Sequence, residues 1–386
     1  MKTSENCGSE SIEWKINLFF KVQIYVDWSV LPSNLFHFMS NTHKEYEEEE
    51  RYYLSNNKTI IPNFSIYNLC RLNLATFFCI LFLIFCFVIF FTIFAFFYKN
   101  EADHDLIQDI TIDGHKRQYI IHLPKNYNKT ISYPLVVVLH PFFTNVRNFK
   151  RKMLWDQTSN ENQFISLYPL SYSRDRSIDF NPWNTELIIS ESFVDKVNDA
   201  FFIKKLVDII TFRFKIKIDQ IFCTGHSDGG NICYKTAGEY PNLFYGIAPI
   251  SSSIGGKIDE DYPLVVYRSP IYSVKLVHVH GMKDDIVKIE GGVENPPWNL
   301  KRIFVPLQRA LDVFKISNGC YTNFVAEFSK NKRIELRNFH CKTEQNIQMY
   351  FLKESDHFWT SLNEEVESED FKGKNLPTVI WNLLKK

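Results

Sequence analysis

Glycine is scarce in this chain, 14 of 386 residues, and net charge is absent, since 44 basic side chains are matched by 44 acidic ones. The balance excludes a surface built for nucleic acid, which needs a basic surplus. The longest basic run, KNKR at Lys330 to Arg333, reads as a solvated turn. No group of histidines and cysteines has zinc spacing, no lysine stands in P-loop register after a glycine-rich turn, and no motif points to a nucleotide or flavin. No metal and no cofactor is expected. Beyond residue 105 there is no internal repeat and no low-complexity linker, so one continuous domain is predicted there.

Long apolar runs are missing as well, with one exception. Leu74 to Tyr98, LATFFCILFLIFCFVIFFTIFAFFY, carries no charge and is bounded by Arg71 and Lys99. A helix of this length spans a bilayer because its backbone satisfies its own hydrogen bonds there. A buried core helix would be shorter and would carry a polar stripe. A cleaved signal peptide would not follow so long a leader. Leu74 to Tyr98 is therefore read as a signal-anchor, with residues 1–73 as a cytoplasmic, poorly ordered tail whose acidic run, Glu45 to Glu50, is a solvated face. Flanking charge is nearly balanced and gives little orientation. Sequons lie on both sides, at Asn57 and Asn63 before the run and at Asn128 after it, the last being the candidate glycosylation site.

From about Asp105 short apolar runs alternate with amphipathic ones. IQDITIDGHKRQYIIHL predicts two strands around a tight Asp113-Gly114 turn. PLVVVLH, FISLYP, IFCTG, YGIAPIS, VKLVHVHG and IQMYFLK predict strands buried on both faces. Helical periodicity runs over Asp199 to Lys217, Asn231 to Glu239 and the final LPTVIWNLLKK. Alternation of this kind predicts an α/β fold, a mostly parallel sheet flanked by helices over residues 105–386.

Against the general scarcity of glycine, three glycines stand within six positions, Gly225-His226-Ser227-Asp228-Gly229-Gly230, between a predicted strand and a predicted helix. That is the setting of a nucleophile elbow, where G-x-S-x-G lets the chain turn sharply enough to expose the serine hydroxyl. A serine also needs a base and an acid. Asp284 and Asp285 follow the strand VKLVHVHG, and His357 follows the strand IQMYFLK, in the order serine, acid, histidine. His140, His226, His278 and His280 are read as structural.

Several motifs together resemble one family. PLVVVLH, NPWN at Asn181 to Asn184, IDQIFCTGHSDGGN, HGMKDDIVKIEGG and SDHFW are similar to segments of the α/β-hydrolase esterases that include polyhydroxybutyrate depolymerases, feruloyl esterases and acetylxylan esterases. The resemblance covers about Ile107 to the C-terminus. It implies Ser227 as nucleophile, His357 as base and Asp284 as acid, Asp284 being favoured over Asp285 by its spacing from His280-Gly281. It also implies a disulfide between Cys320 and Cys341, in segments that look like loops. Such a bond requires an oxidising compartment and places the catalytic part in the lumen or outside the cell. Cys223 and Cys233 are read as small buried thiols.

The oxyanion of an acyl transfer needs two donors, and the backbone N–H groups of Asp228 and Phe142 are the candidates. Here the chain departs from the family, which has glycine where Pro141 stands, glycine where Asp356 stands and proline where Thr360 stands. Trp183, Trp359, Phe142 and Phe143 map near the mouth, and Trp183 and Trp359 are the candidate substrate contacts. Two functional classes follow: a membrane-anchored serine esterase acting on a small-molecule, carbohydrate-linked or polymer-linked ester, and a degenerate hydrolase fold kept as a binding module. The residues do not name the ester.

Overall fold

In a computed structural model of the chain, residues 82–89, 107–175, 181–294 and 301–386 are described. Two units separate, Met1–Phe90 and Phe91–Lys386. In the first, residues 82–89 form a helix with exposed side chains, Phe82, Leu83 and Phe87 among them. Among the described residues no helix is long and apolar enough to cross a membrane. The rest of the expected span, Leu74 to Tyr98, and the tail 1–73 lie outside the described residues.

The second unit is built on a ten-stranded sheet. Strands β1 (Gln108–Ile112) and β2 (His115–His122) form the expected hairpin, with Asp113 at φ 51 and Gly114 at φ 77, both left-handed as a tight turn requires. Strand β3 (Tyr133–Leu139) is buried at every position, and so is β4 (Ile165–Pro169). They are followed by β5 (Ile216–His226), β6 (Gly246–Ile250), β7 (Gly255–Lys257), β8 (Val265–Val266), β9 (Lys275–Gly281), β10 (Gly292–Val293), β11 (Ile303–Phe304), β12 (Cys320–Phe328), β13 (Ile334–Cys341) and β14 (Ile347–Leu352). The order is β1-β2-β4-β3-β5-β6-β9-β14-β13-β12. Its middle six strands, β4 to β14, are parallel, and antiparallel pairs extend both edges. A second small sheet has the order β10-β11-β7-β8.

Because side chains alternate along a strand, β3 feeds two cores: Leu135, Val137 and Leu139 on one face, Val136 and Val138 on the other. Helices α1 (Val146–Lys152) and α2 (Trp155–Asn162) cover the second face. After the short α3 (Glu191–Val194), helices α4 (Asp199–Arg213), α5 (Asp228–Glu239) and α6 (Leu307–Asn318) cover the first. Helices α7 (Trp359–Glu369) and α8 (Leu376–Leu384) return to the second. The chain steps from β3 to β4 on one side, then to β5 on the other. That reversal falls at the carboxyl ends of β3 and β5, the position at which α/β sheets place their ligands.

Two expectations need correcting. Cys320 and Cys341 lie in neighbouring strands rather than loops, directly opposite one another in the β12–β13 register, and they are disulfide-bonded. Cys223 and Cys233 are also joined to each other rather than being free thiols, tying β5 to α5.

Candidate active site

The elbow forms because three positions have no room for a side chain. A Cβ on Gly225 would fall inside the van der Waals radius of the Gly229 carbonyl, and one on Gly229 inside that of the Leu139 carbonyl at the end of β3. One on Gly230 would strike the Ser252 hydroxyl. The helix therefore begins against the carboxyl end of β3, and Ser227 takes φ 55, ψ −120, a region unfavourable for any residue with a Cβ.

From that position the Ser227 Oγ lies 3.0 Å from His357 Nε2, and His357 Nδ1–H donates to Asp284 Oδ2 at 2.8 Å. Ser227, Asp284 and His357 are each more than nine-tenths buried. His357 comes from the loop between β14 and α7, and Asp284 from the turn after β9. The other Asp284 oxygen accepts the N–H groups of Ile286 and Val287 at 3.0 and 2.8 Å. Burial works against the Asp284 charge, but hydrogen bonds from His280 and His357 outweigh it and hold the carboxyl well below its ordinary range. Asp285 is exposed and lies outside this line.

The structural histidines support the three. His280 Nε2 is 2.7 Å from the Val287 carbonyl, which only accepts, so that nitrogen carries the proton; Asp284 Oδ2 is 3.3 Å from it. His278 Nε2 lies 2.9 Å from His280 Nδ1, and the Tyr234 hydroxyl lies 2.8 Å from His278 Nδ1. Burial lowers the pKa of His278 well below its ordinary value and raises that of Tyr234 well above, which keeps both neutral. His226 Nε2–H donates to the His357 carbonyl at 2.7 Å, and burial pushes its pKa down to about 3.

At the head of α5 the Asp228 N–H stands in the first turn, where no intrahelical acceptor is available. Pro141 keeps a negative φ, and the left-handed turn falls at Phe143, φ 62. His140, lowered to about 4 by burial, donates from Nδ1 to the Pro141 carbonyl at 2.9 Å and accepts the Ser171 N–H. Trp183 is fully buried and donates to the His140 carbonyl at 2.8 Å, its ring 4.7 Å from the imidazole. It props the loop from below, which corrects the expected substrate contact. Trp359 is 8% exposed and packs against His226. Of the aromatic side chains here, Phe143 and Phe358 are about half exposed and Phe142 is partly exposed. Asp356 accepts the Phe358 N–H at 2.9 Å, a bond glycine would not make.

Phe358 and Tyr234 escaped the reading of the sequence. His278 and His280 carried a signal, since HVH in a strand puts both rings on one face. Among the described residues no group of acidic, histidine and cysteine side chains is arranged to hold a metal ion.

A family described as putative esterase matches residues 111–312. A bifunctional acetylxylan esterase/xylanase of Neocallimastix patriciarum is 20% identical over 193 residues, 48% of this chain and 25% of that protein. Feruloyl esterase D of Neurospora crassa is 22% identical over 191 residues, 47% of this chain and 58% of that one. The match thus spans about a quarter of the first relative and just over half of the second. An acetyl xylan esterase from Aspergillus awamori superposes with TM-score 0.45 at 14% identity, over 65% of this chain and 94% of that chain. An S-formylglutathione hydrolase from Agrobacterium tumefaciens gives TM-score 0.45 at 11% identity, over 72% and 93%.

Proposed function

The chain belongs to the putative esterase family, and from that premise we propose that it hydrolyses carboxylic esters through an acyl-enzyme formed on Ser227. The observation that carries the reading is the unbroken line from Ser227 Oγ through His357 to Asp284. In this reading His357 Nε2 takes the hydroxyl proton as Oγ attacks the ester carbonyl, and Asp284 fixes the Nδ1–H tautomer and stabilises the imidazolium. The tetrahedral oxyanion is held by the N–H groups of Asp228 and Phe142. The carbon–oxygen bond to the alcohol then breaks, His357 returns its proton to the leaving alcohol, and water repeats the sequence to release the acid.

For the substrate, esters of aromatic or acetyl acids on carbohydrate, or polyesters, fit best: the relatives' names and the half-exposed Phe143 and Phe358 support this. For location, the uncharged run Leu74 to Tyr98 and two disulfides support a catalytic domain, 105–386, held lumenal or extracellular by a single-pass anchor, with 1–73 in the cytoplasm. Asn128 is exposed and accepts the Thr130 N–H and hydroxyl, which supports it as a glycosylation site there.

A fluorophosphonate probe tests the chemistry. The wild type is expected to be labelled and Ser227→Ala to be blank, with aryl-ester hydrolysis falling at least about a thousandfold in Ser227→Ala and His357→Ala alike. A wild type that takes no label would overturn the esterase reading and leave a binding module.

A further inference from the structure

The proposed chemistry leaves unused a buried charge cluster on the residue that follows the nucleophile. Asp228 is wholly buried, and its Oδ1 accepts from Arg302 Nη1 at 2.6 Å and from Asn231 Nδ2 at 3.2 Å. Arg302, 2% exposed, donates through Nε and its backbone N–H to Glu294 Oε1 at 3.0 and 2.9 Å, and through Nη2 to Glu294 Oε2 at 3.1 Å. Glu294 follows β10 and Arg302 precedes β11, so the small second sheet delivers the guanidinium to the start of α5. The other Asp228 oxygen, Oδ2, is buried with no hydrogen-bond partner among the described residues.

Three buried charges at one point are not explained by stability, since apolar replacements of such groups are often as stable. Position explains them better. The carboxylate of Asp228 is three bonds from the backbone nitrogen that would face the oxyanion. With no cation against it in so buried a position, it would repel the negative charge that develops in the transition state.

We infer that Arg302, gripped by Glu294, is a positioning residue for the oxyanion hole: it fixes the Asp228 side chain at the head of α5 and sets a cation against that carboxylate beside the forming oxyanion. This rests on the esterase reading above. The fork of the guanidinium suits the task because it meets two carboxylates at once.

The test is a cycle in the full chain, wild type, Arg302→Met, Asp228→Asn and the pair together, assayed with an aryl acetate and with an arylboronic acid, whose tetrahedral anionic adduct mimics the transition state. Arg302→Met should lower kcat by about 100-fold, leave KM within about threefold, and weaken the boronate by a factor close to that in kcat. Adding Asp228→Asn should restore at least about tenfold, because the repelling charge is then gone. No restoration, or a loss confined to KM, overturns the inference. Where Arg302→Met does not fold, Arg302→Lys serves: it keeps the cation and loses the fork, and about a tenfold fall in kcat is expected, whereas unchanged kcat overturns the inference. A wild type that neither hydrolyses the ester nor takes a fluorophosphonate overturns the esterase reading itself, while an active wild type with an equally active Arg302→Met overturns this inference alone.

Discussion

Burial holds three histidines neutral, and this sets the response of the protein to acid. His140 is lowered to about 4, His226 to about 3 and His278 well below its ordinary value. In the unfolded chain each would titrate near its ordinary value of about 6.5. Below that pH the unfolded chain binds protons the folded one refuses, so stability is complete above it and is lost as pH falls toward the folded values. Between pH 7 and 5 the three together should remove roughly 5 kcal/mol, read as a falling unfolding free energy in urea titrations. Asp284, held low, adds its loss only under strongly acid conditions, below about pH 4. A flat profile from pH 7 to 5 would contradict neutral, buried imidazoles. At this scale motif spacing was enough to name Ser227, Asp284 and His357, which the structure brings within hydrogen-bonding distance in one line. It could not show that Trp183 has no open surface, because the depth of a side chain depends on what folds over it.

Among the elements, the β5–α5 elbow is the one with least tolerance. Gly229→Ala would drive a methyl into the Leu139 backbone carbonyl, which has no rotamer with which to retreat. A loss of about 3 kcal/mol and of most fluorophosphonate labelling is expected, the first measured by thermal unfolding. The Cys320–Cys341 bond closes a separation of 21 residues between β12 and β13. Replacing both with serine should cost about 3 kcal/mol by the loop-entropy argument and leave kcat unchanged at low temperature, since the Ser227–His357–Asp284 line lies on other elements. Chemical denaturation with and without reductant checks it. Strands β3, β4, β6 and β9 were readable because burial on both faces requires a continuous apolar run. Strand β12 was not, for as the sheet edge it is mostly exposed and carries no such run. The two- and three-residue strands of the small sheet are too short for any period to register.

For the molecule as a whole, every candidate site residue and both disulfides fall within 107–386. A chain beginning at residue 105 is therefore expected to unfold at the same temperature as the full protein and to be labelled by a fluorophosphonate at the same rate; a lower melting temperature would show that the preceding residues stabilise the domain. In sealed secretory vesicles, protease added outside should trim residues 1–73 and spare the rest, and the reverse pattern would invert the proposed orientation.

Apolar periodicity and glycine placement along the chain determined the buried strands and the elbow, because each depends on neighbours a few positions apart, and the motifs around Ser227, Asp284 and His357 are legible for the same reason. Only the tertiary structure put the Asp284 carboxylate against His357 and left Asp285 exposed, lined up Tyr234, His278 and His280, and carried Arg302 to Asp228 across 74 positions. Those outcomes depend on which groups share a dry interior, where an unpaired polar atom costs more than almost any local preference can repay.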